Sequence, residues 1–416
     1  MGQTTFVKPG KVQGKDIQKR LRSSRVDLFF VLIVICLVAI GLLAVYSTSW
    51  VQSKMFTGSP HTFALRQILW AIIGSIVAAL LAFYDYHKLE HWSLIIMGVT
   101  ILLLIIVLLP IAGSLGRNLI RNSVQPSELA KAVIVIYLAV WLNARQDVIN
   151  SFSLGFIPMI SIVGIVGGLI LIQPDASAVL TVFILGGLLF FFAGGNLRQI
   201  FLLIIFASIV GYLVVIVSGK MERITLFISS LGNVSAAPEQ IQRAIQAISR
   251  GGVFGVGIGN SITKNTGLQV AWTDSIFAVI TEETGLLGAA VVISLYMLFL
   301  WRGLDIANRA PDLLGKLLAS GMTIWIAIEA LINISVMLSL LPVAGNALPF
   351  ISMGGSSMVT SLAAVGIILN VSRAAKKETK KSAPVERTSS AASDMRRRNG
   401  RRSVSRNVDS ASTRAR

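Results

Sequence analysis

The residues able to do chemistry in this chain are a few ionisable side chains set in or beside long apolar stretches. A charge at such depth is expensive and is itself a functional signal. Asp274 is the most informative. It follows Trp272-Thr273 and precedes Ser275-Ile-Phe-Ala-Val-Ile, so it stands where a polar segment meets an apolar run. A carboxylate there suits a general base, and equally a cap for the helix that begins after it. Glu282 and Glu283 follow two turns on, and the three acids form a column that would also suit a proton path. Glu128 and Lys131, three residues apart at the start of another apolar run, share a helix face as an anion site or as a self-neutralised pair. Asp175 follows Gln173-Pro174 in a tight turn, where it can bind or cap. Glu329 stands alone in its run, and the sequence names no partner for it.

The elements that must position these residues are membrane spans. Of the 416 residues, 54% are hydrophobic and 13% charged, and the mean hydropathy is +0.76. A soluble domain carries about a quarter charged residues, so a water-soluble enzyme is excluded. Apolar runs fall at 28–48, 66–84, 92–110, 128–143, 154–172, 176–193, 198–217, 276–301, 313–339 and 355–372. At ~20 residues per crossing they predict an all-α integral membrane protein of about ten transmembrane helices. The ~10-residue alternating segments of a transmembrane barrel are absent. The first run is too long for a signal-peptide core and predicts an uncleaved helix.

The net charge of +18 sits at the ends: residues 1–26 carry seven Lys/Arg against Asp16, and 373–416 carry fourteen against four acids, which leaves 27–372 at +2. Two basic tails, 1–26 and 374–416, around a membrane domain, 27–373, predict cytoplasmic termini drawn to anionic lipid, with no nucleic-acid role. The C-terminal tail has the composition of a disordered segment. Residues 218–275, between helices 7 and 8, then form a long extracytoplasmic loop whose Gly251-Gly252-Val-Phe-Gly-Val-Gly-Ile-Gly259 predicts irregular or re-entrant backbone. Lys220, Arg223, Arg243, Arg250 and Lys264 in that loop, and Arg117 and Arg121 in a shorter outer one, run against the positive-inside bias. Cations kept there predict an outward-facing anion site, with diphosphate a natural ligand for Arg and Lys. Cys36 is the only cysteine, and His61, His87 and His91 are too scattered for a metal site, so no dedicated metal or cofactor is expected. These residues do not choose between moving an anionic, membrane-embedded substrate and transforming it.

Five segments narrow the choice: Gln125-Pro-Ser-Glu128-Leu-Ala-Lys131; Gln173-Pro-Asp175; Gly255-Val-Gly-Ile-Gly-Asn260-Ser261; Trp272-Thr-Asp274-Ser-Ile-Phe-Ala-Val-Ile-Thr-Glu282-Glu283; and Leu341-Pro-Val-Ala-Gly345-Asn-Ala-Leu-Pro349-Phe-Ile-Ser352-Met-Gly354-Gly355-Ser356-Ser357. In this order, from about residue 25 to 373, the chain resembles the SEDS family (shape, elongation, division and sporulation). The Gly-Asn260-Ser261 and Lys264 pattern is more similar to the division branch, FtsW, than to the elongation branch, RodA. Trp272, Gln269 and Met353 stand where the family usually has His, Pro and Tyr, and Leu119 where Trp is common.

The resemblance implies a peptidoglycan glycosyltransferase that polymerises lipid II into β-1,4 glycan at the outer face of the bacterial cytoplasmic membrane, at the division septum. A RodA-like elongation polymerase, a lipid II flippase and a non-catalytic division scaffold are the competing readings. It implies Asp274 as catalytic base of an inverting reaction. Substrate contacts are expected from Glu128, Lys131, Asp175, Arg117, Arg223, Gln240, Arg243, Arg250, Lys264, Ser356 and Ser357. A divalent cation, magnesium or manganese, would bridge the substrate diphosphate instead of filling a protein cage. The implied partners are a class B penicillin-binding protein transpeptidase, other divisome proteins and membrane lipids.

Overall fold

The computed structural model describes residues 26–108, 125–173, 175–217, 221–230, 233–264, 266–268 and 271–382. Both basic tails up to Arg25 and beyond Ser382, and Arg117, Leu119, Arg121, Lys220 and Gln269, lie outside the described residues. The helices in chain order are α1 (Leu28–Thr57), α2 (Thr62–Phe83), α3 (Lys88–Leu108), α4 (Pro126–Ala144), α5 (Ile157–Ile172), α6 (Ala176–Phe192), α7 (Leu197–Val217), α8 (Met221–Ser230), α9 (Glu239–Gly251), α10 (Ile276–Asn308), α11 (Leu313–Met337) and α12 (Gly355–Ser382). The described residues through Lys376 belong to one compact unit, and α12 runs on beyond it through Ser382.

Eight helices among the described residues are long and apolar enough to cross a membrane; the apolar segments Ala176–Phe192 and Leu197–Tyr212 are shorter. Every apolar run of the sequence is helical, as the backbone demands in lipid, where each N–H and C=O must be satisfied within the chain. α11 is the central post: 83% of its apolar window is buried, against 28% for α2 and α3. It packs on α4, α6 and α10. Gly321 makes room there, since a Cβ at this position would lie 2.6 Å from Val135 of α4 and 3.0 Å from Leu189 of α6. Small residues at such crossings replace the hydrophobic drive that lipid cannot supply.

The stretch 218–275 is not loop throughout, which corrects the expectation above. It contains α8 and α9, and α9 lays Ile241, Ala244, Ala247 and Gly251 against α10. Their spacing of three and four residues is that of an amphipathic helix. Its polar composition leaves no apolar run to find.

The Gly-rich segment after α9 is spliced into a break in α10. Gly285 (φ 70°, ψ −168°) interrupts that helix. Val256 and Gly257 donate to the carbonyls of Glu282 and Glu283 at 3.0 Å each, and Leu286 and Leu287 donate to Gly252 and Val253 at 2.9 and 3.3 Å. The broken helix thus keeps its backbone satisfied by borrowing a neighbour's. The two acids at the break hold the same segment. Glu282 accepts from Ser261 Oγ at 2.5 Å and Thr263 Oγ1 at 2.9 Å, while Glu283 pairs with Lys264 Nζ at 2.7 Å and accepts from Ser47 Oγ of α1 at 2.6 Å. In the expected column of carboxylates, Glu282 and Glu283 therefore serve as anchors, Glu282 to the backbone and hydroxyls of 261–263 and Glu283 to the side chains of Lys264 and Ser47.

At the other end of the bundle, Asp312 caps α11 through Gly315 N at 2.7 Å and accepts from Tyr86 Oη at 3.0 Å. His87 bridges Asp312 (2.7 Å) and Asp85 (2.8 Å). Burial pulls the His87 pKa down, but the hydrogen bonds to Asp85 and Asp312 outweigh it and hold the imidazole above the ordinary histidine range.

A Cβ at Gly285 would collide with the Val253 carbonyl, at a φ that L residues avoid. Gly285→Ala should destabilise the protein by about 3 kcal/mol or more, whereas Gly98→Ala, with nothing within 4 Å, should be near neutral. Thermal unfolding of the two variants in detergent checks this.

Candidate active site

The N-termini of α4, α6, α10 and α12 meet around a cavity of about 570 Å³. α4 contributes Glu128 and Lys131, with Gln125 just before it; Asp175 precedes α6; Trp272, Thr273 and Asp274 precede α10; Gly355, Ser356 and Ser357 begin α12. Helix N-termini carry about half a positive charge each and unsatisfied amides, so four of them around one cavity attract an anion. Phe56, Phe63, Trp70, Trp272 and Met353 supply apolar lining. The cavity therefore suits a ligand that is polar in one part and greasy in another.

Asp274 is half-buried, and the backbone leading to it is held at three consecutive carbonyls. Met353 N donates to Trp272 O (2.9 Å), Ser352 Oγ to Thr273 O (2.6 Å) and Asn333 Nδ2 to Asp274 O (2.8 Å). The first two donors belong to the connection between α11 and α12, and Asn333 is on α11. That connection is itself fixed: Gln67 of α2 donates to Ser352 O at 3.1 Å and accepts from Gly354 N at 3.3 Å. Phe350 takes a left-handed backbone (φ 66°) within it, pinned by Tyr296 Oη donating to Pro349 O and by ring contact with Phe299 at 5.8 Å. On the far side of Asp274, Gln240 of α9 donates to Ser275 Oγ at 2.9 Å.

The other charges sort by partner. Asp175 accepts from Gln125 Nε2, Ser127 Oγ and Ser177 Oγ, each at 3.0 Å, and from Ala178 N at 3.2 Å, so it caps α6 and ties it to α4. Lys131 is held between Glu128 (2.8 Å) and Glu329 of α11, with its side chain 4% exposed. Glu329 thereby gains the partner the sequence did not name. Glu128 turns Oε1 to Lys131 and leaves Oε2 buried without a hydrogen bond. An ammonium shared by two carboxylates is fixed in place.

Of the residues expected to touch substrate, Asp274, Glu128, Lys131, Asp175, Ser356 and Ser357 line this cavity. Gln240 does not line it and acts through Ser275. Lys264 is buried against Glu283. Arg223 and Arg250 are exposed on α8 and α9, and Arg243 lies 3.8 Å from Glu239 on its own helix. These four cations do not line the cavity, because helical structure and the splice at Gly285 turn the segment away from an open loop. Arg117 lies outside the described residues. The sequence reading missed Arg66, Gln67, Asn333 and Asn346. Arg66 carried a usable signal, a cation near the start of a span; the others are neutral residues. Among the described residues no group of three or more His, Cys, Asp or Glu is placed to hold a metal ion.

Such a bundle, with a polar cavity walled by helix N-termini, defines an integral membrane protein built to bind an amphiphilic anion. The family model described as cell cycle protein, covering FtsW, RodA and SpoVE, matches residues 27–377, and the chain belongs to that family. It is 37% identical to stage V sporulation protein E of Bacillus subtilis (strain 168), over 83% of this chain and 97% of that protein. It is 35% identical to a probable peptidoglycan glycosyltransferase FtsW of Trichlorobacter lovleyi, over 86% of this chain and 95% of that one. Among solved structures, it resembles a peptidoglycan synthase complex that coordinates polymerization and crosslinking (TM-score 0.67, 25% identity, 84% of this chain and 98% of that one). It also resembles the rod shape determining protein RodA of Thermus thermophilus (TM-score 0.59, 25% identity, 84% and 97% covered).

Lys131→Met should leave Glu128 and Glu329 facing each other uncompensated, at a cost of about 3–5 kcal/mol. Adding Glu329→Gln should restore most of that stability. The thermal midpoints of single and double variants in detergent are the check.

Proposed function

We propose that this chain is a peptidoglycan glycosyltransferase that polymerises lipid II at the outer face of the bacterial cytoplasmic membrane. The observation that carries the proposal is Asp274, clamped at the mouth of a helix in a cavity that also holds Lys131 and four helix N-termini. Membership of the family, and relatives named as peptidoglycan glycosyltransferases, support it. In this reading Asp274 accepts the proton of the acceptor sugar's 4-hydroxyl as its oxygen attacks the anomeric carbon of the donor, and the undecaprenyl diphosphate departs. One displacement from an α-linked donor inverts the centre and gives the β-1,4 bond. A poised base contributes typically ~10²–10⁴-fold.

The charge growing on the diphosphate is met by Lys131, Arg66 and the N-terminus of α12 with Ser356 and Ser357. Glu128 and Asp175 are engaged with Lys131 and with a four-donor cap, so the carboxylates present do not make a cage for magnesium or manganese, and no step here is routed through an ion. The cavity faces outward, with ten crossings and both termini cytoplasmic; the charge of the two tails supports that orientation. The partner is a class B penicillin-binding protein transpeptidase, supported by the likeness to a synthase complex. The setting is the division septum, supported by relatives named FtsW.

Glu282 and Glu283, as anchors, argue against the proton path that a flippase reading would use. The experiment is purified protein with labelled lipid II in liposomes, with and without the transpeptidase. Glycan polymer is expected. Translocated monomer without polymer, or neither product, would replace the proposal with a flippase or a scaffold.

A further inference from the structure

Two buried polar atoms on the cavity wall have no hydrogen-bond partner: Glu128 Oε2 and Asn346 Nδ2. Glu128 is engaged through its other oxygen, but the Asn346 amide nitrogen has no protein acceptor among the described residues. A buried N–H without an acceptor destabilises the fold, and native structures keep few of them. This one is held where it is by the same device that holds Asp274. Asn333 Nδ2 donates both to Asp274 O at 2.8 Å and to Asn346 O at 2.6 Å, so one side chain sets the spacing of the two residues. Gly345, with φ 66°, brings the chain close: a Cβ there would stand 3.6 Å from Asp274 Oδ2. A neutral donor and an acidic acceptor thus line one cavity from backbone held by the same side chain.

We propose that Asn346 Nδ2 is a substrate-binding donor that hydrogen-bonds an oxygen of the saccharide whose hydroxyl Asp274 deprotonates. The inference rests on the glycosyltransferase reading and assigns to Asn346 a part in orienting the sugar. A carboxylate and a carboxamide lining one cavity match two oxygens of one sugar, one giving its proton to Asp274 and the other accepting from Asn346. A phosphate fits poorly there, because the adjacent Asp274 charge repels it while a neutral amide adds no compensating charge. The unpartnered donor then has a reason: its hydrogen bond is completed only when the saccharide is bound, so binding recovers what folding leaves unmade.

The test uses the full-length protein and lipid II polymerisation, with Asn346→Leu and Asn346→Ser. Leu fills similar space without a donor; Ser is short and keeps the test open if Leu does not fold. Losing one neutral hydrogen bond should raise KM for lipid II by roughly three- to tenfold. The thermal midpoint without substrate should be unchanged or higher, because an unsatisfied group has been removed. Inhibition by undecaprenyl diphosphate, which lacks the saccharide, should stay within about twofold of wild type. A KM and kcat equal to wild type in both variants would overturn the assignment, as would undecaprenyl diphosphate inhibition weakening in step with KM. A lowered midpoint with unchanged KM would make Asn346 structural and overturn it too. Failure of the wild-type protein to polymerise lipid II would instead remove the functional reading itself.

Discussion

Three consecutive carbonyls, those of Trp272, Thr273 and Asp274, must find donors where the chain enters the membrane, and the fold supplies them from Met353 N, Ser352 Oγ and Asn333 Nδ2. A buried carbonyl left unpaired is costly and water is scarce at this depth. The requirement therefore binds the segment before α10 to the connection between α11 and α12, and with it fixes the acid. Gln67 of α2 extends the same clamp, and Gln240 of α9 closes it from the other side. Trp272 and Met353, the two departures from the family pattern in this clamp, bond through their backbones, so the clamp tolerates other side chains there.

The same rule explains the remaining polar groups at membrane depth. Glu282 and Glu283 hold the Gly-rich segment in the break of α10, Lys264 neutralises Glu283, and Lys131 sits between Glu128 and Glu329. Glu282, Glu283 and Glu329 each take a donor or a cation from a different element, so the charges that look like a relay in one dimension are cross-braces in three. Lys131 differs from Lys264 in that it lines the cavity.

Most of the architecture was legible in the sequence, because continuous apolar runs have one stable form in lipid. Asp274, Glu128, Lys131, Asp175 and the Ser356-Ser357 pair were legible as motifs, and the structure brings them to one cavity. What was not legible depends on distance along the chain or on backbone atoms. Lys131 and Glu329 are 198 residues apart, and nothing local links them. α9 hid because its apolar face is only every third or fourth residue of a polar stretch. Arg223, Arg243, Arg250 and Lys264 read as an anion-binding loop from composition alone, because composition does not show the helices and the splice that present them away from the cavity. Asn333 carries no charge and no motif, and Asn346, though within the 341–357 motif segment, carries no charge, so only their contacts give them meaning.

The central claim is that the clamped carboxylate of Asp274 does the chemistry and not the folding. The most direct measurement is the amount of glycan made from lipid II by purified Asp274→Asn, alongside its thermal midpoint and its binding of lipid II. Asn keeps the size and the backbone clamp but cannot take a proton, so polymer should fall by about 10²-fold or more while midpoint and binding stay near those of the wild type. Near-wild-type polymerisation by this variant would contradict the account.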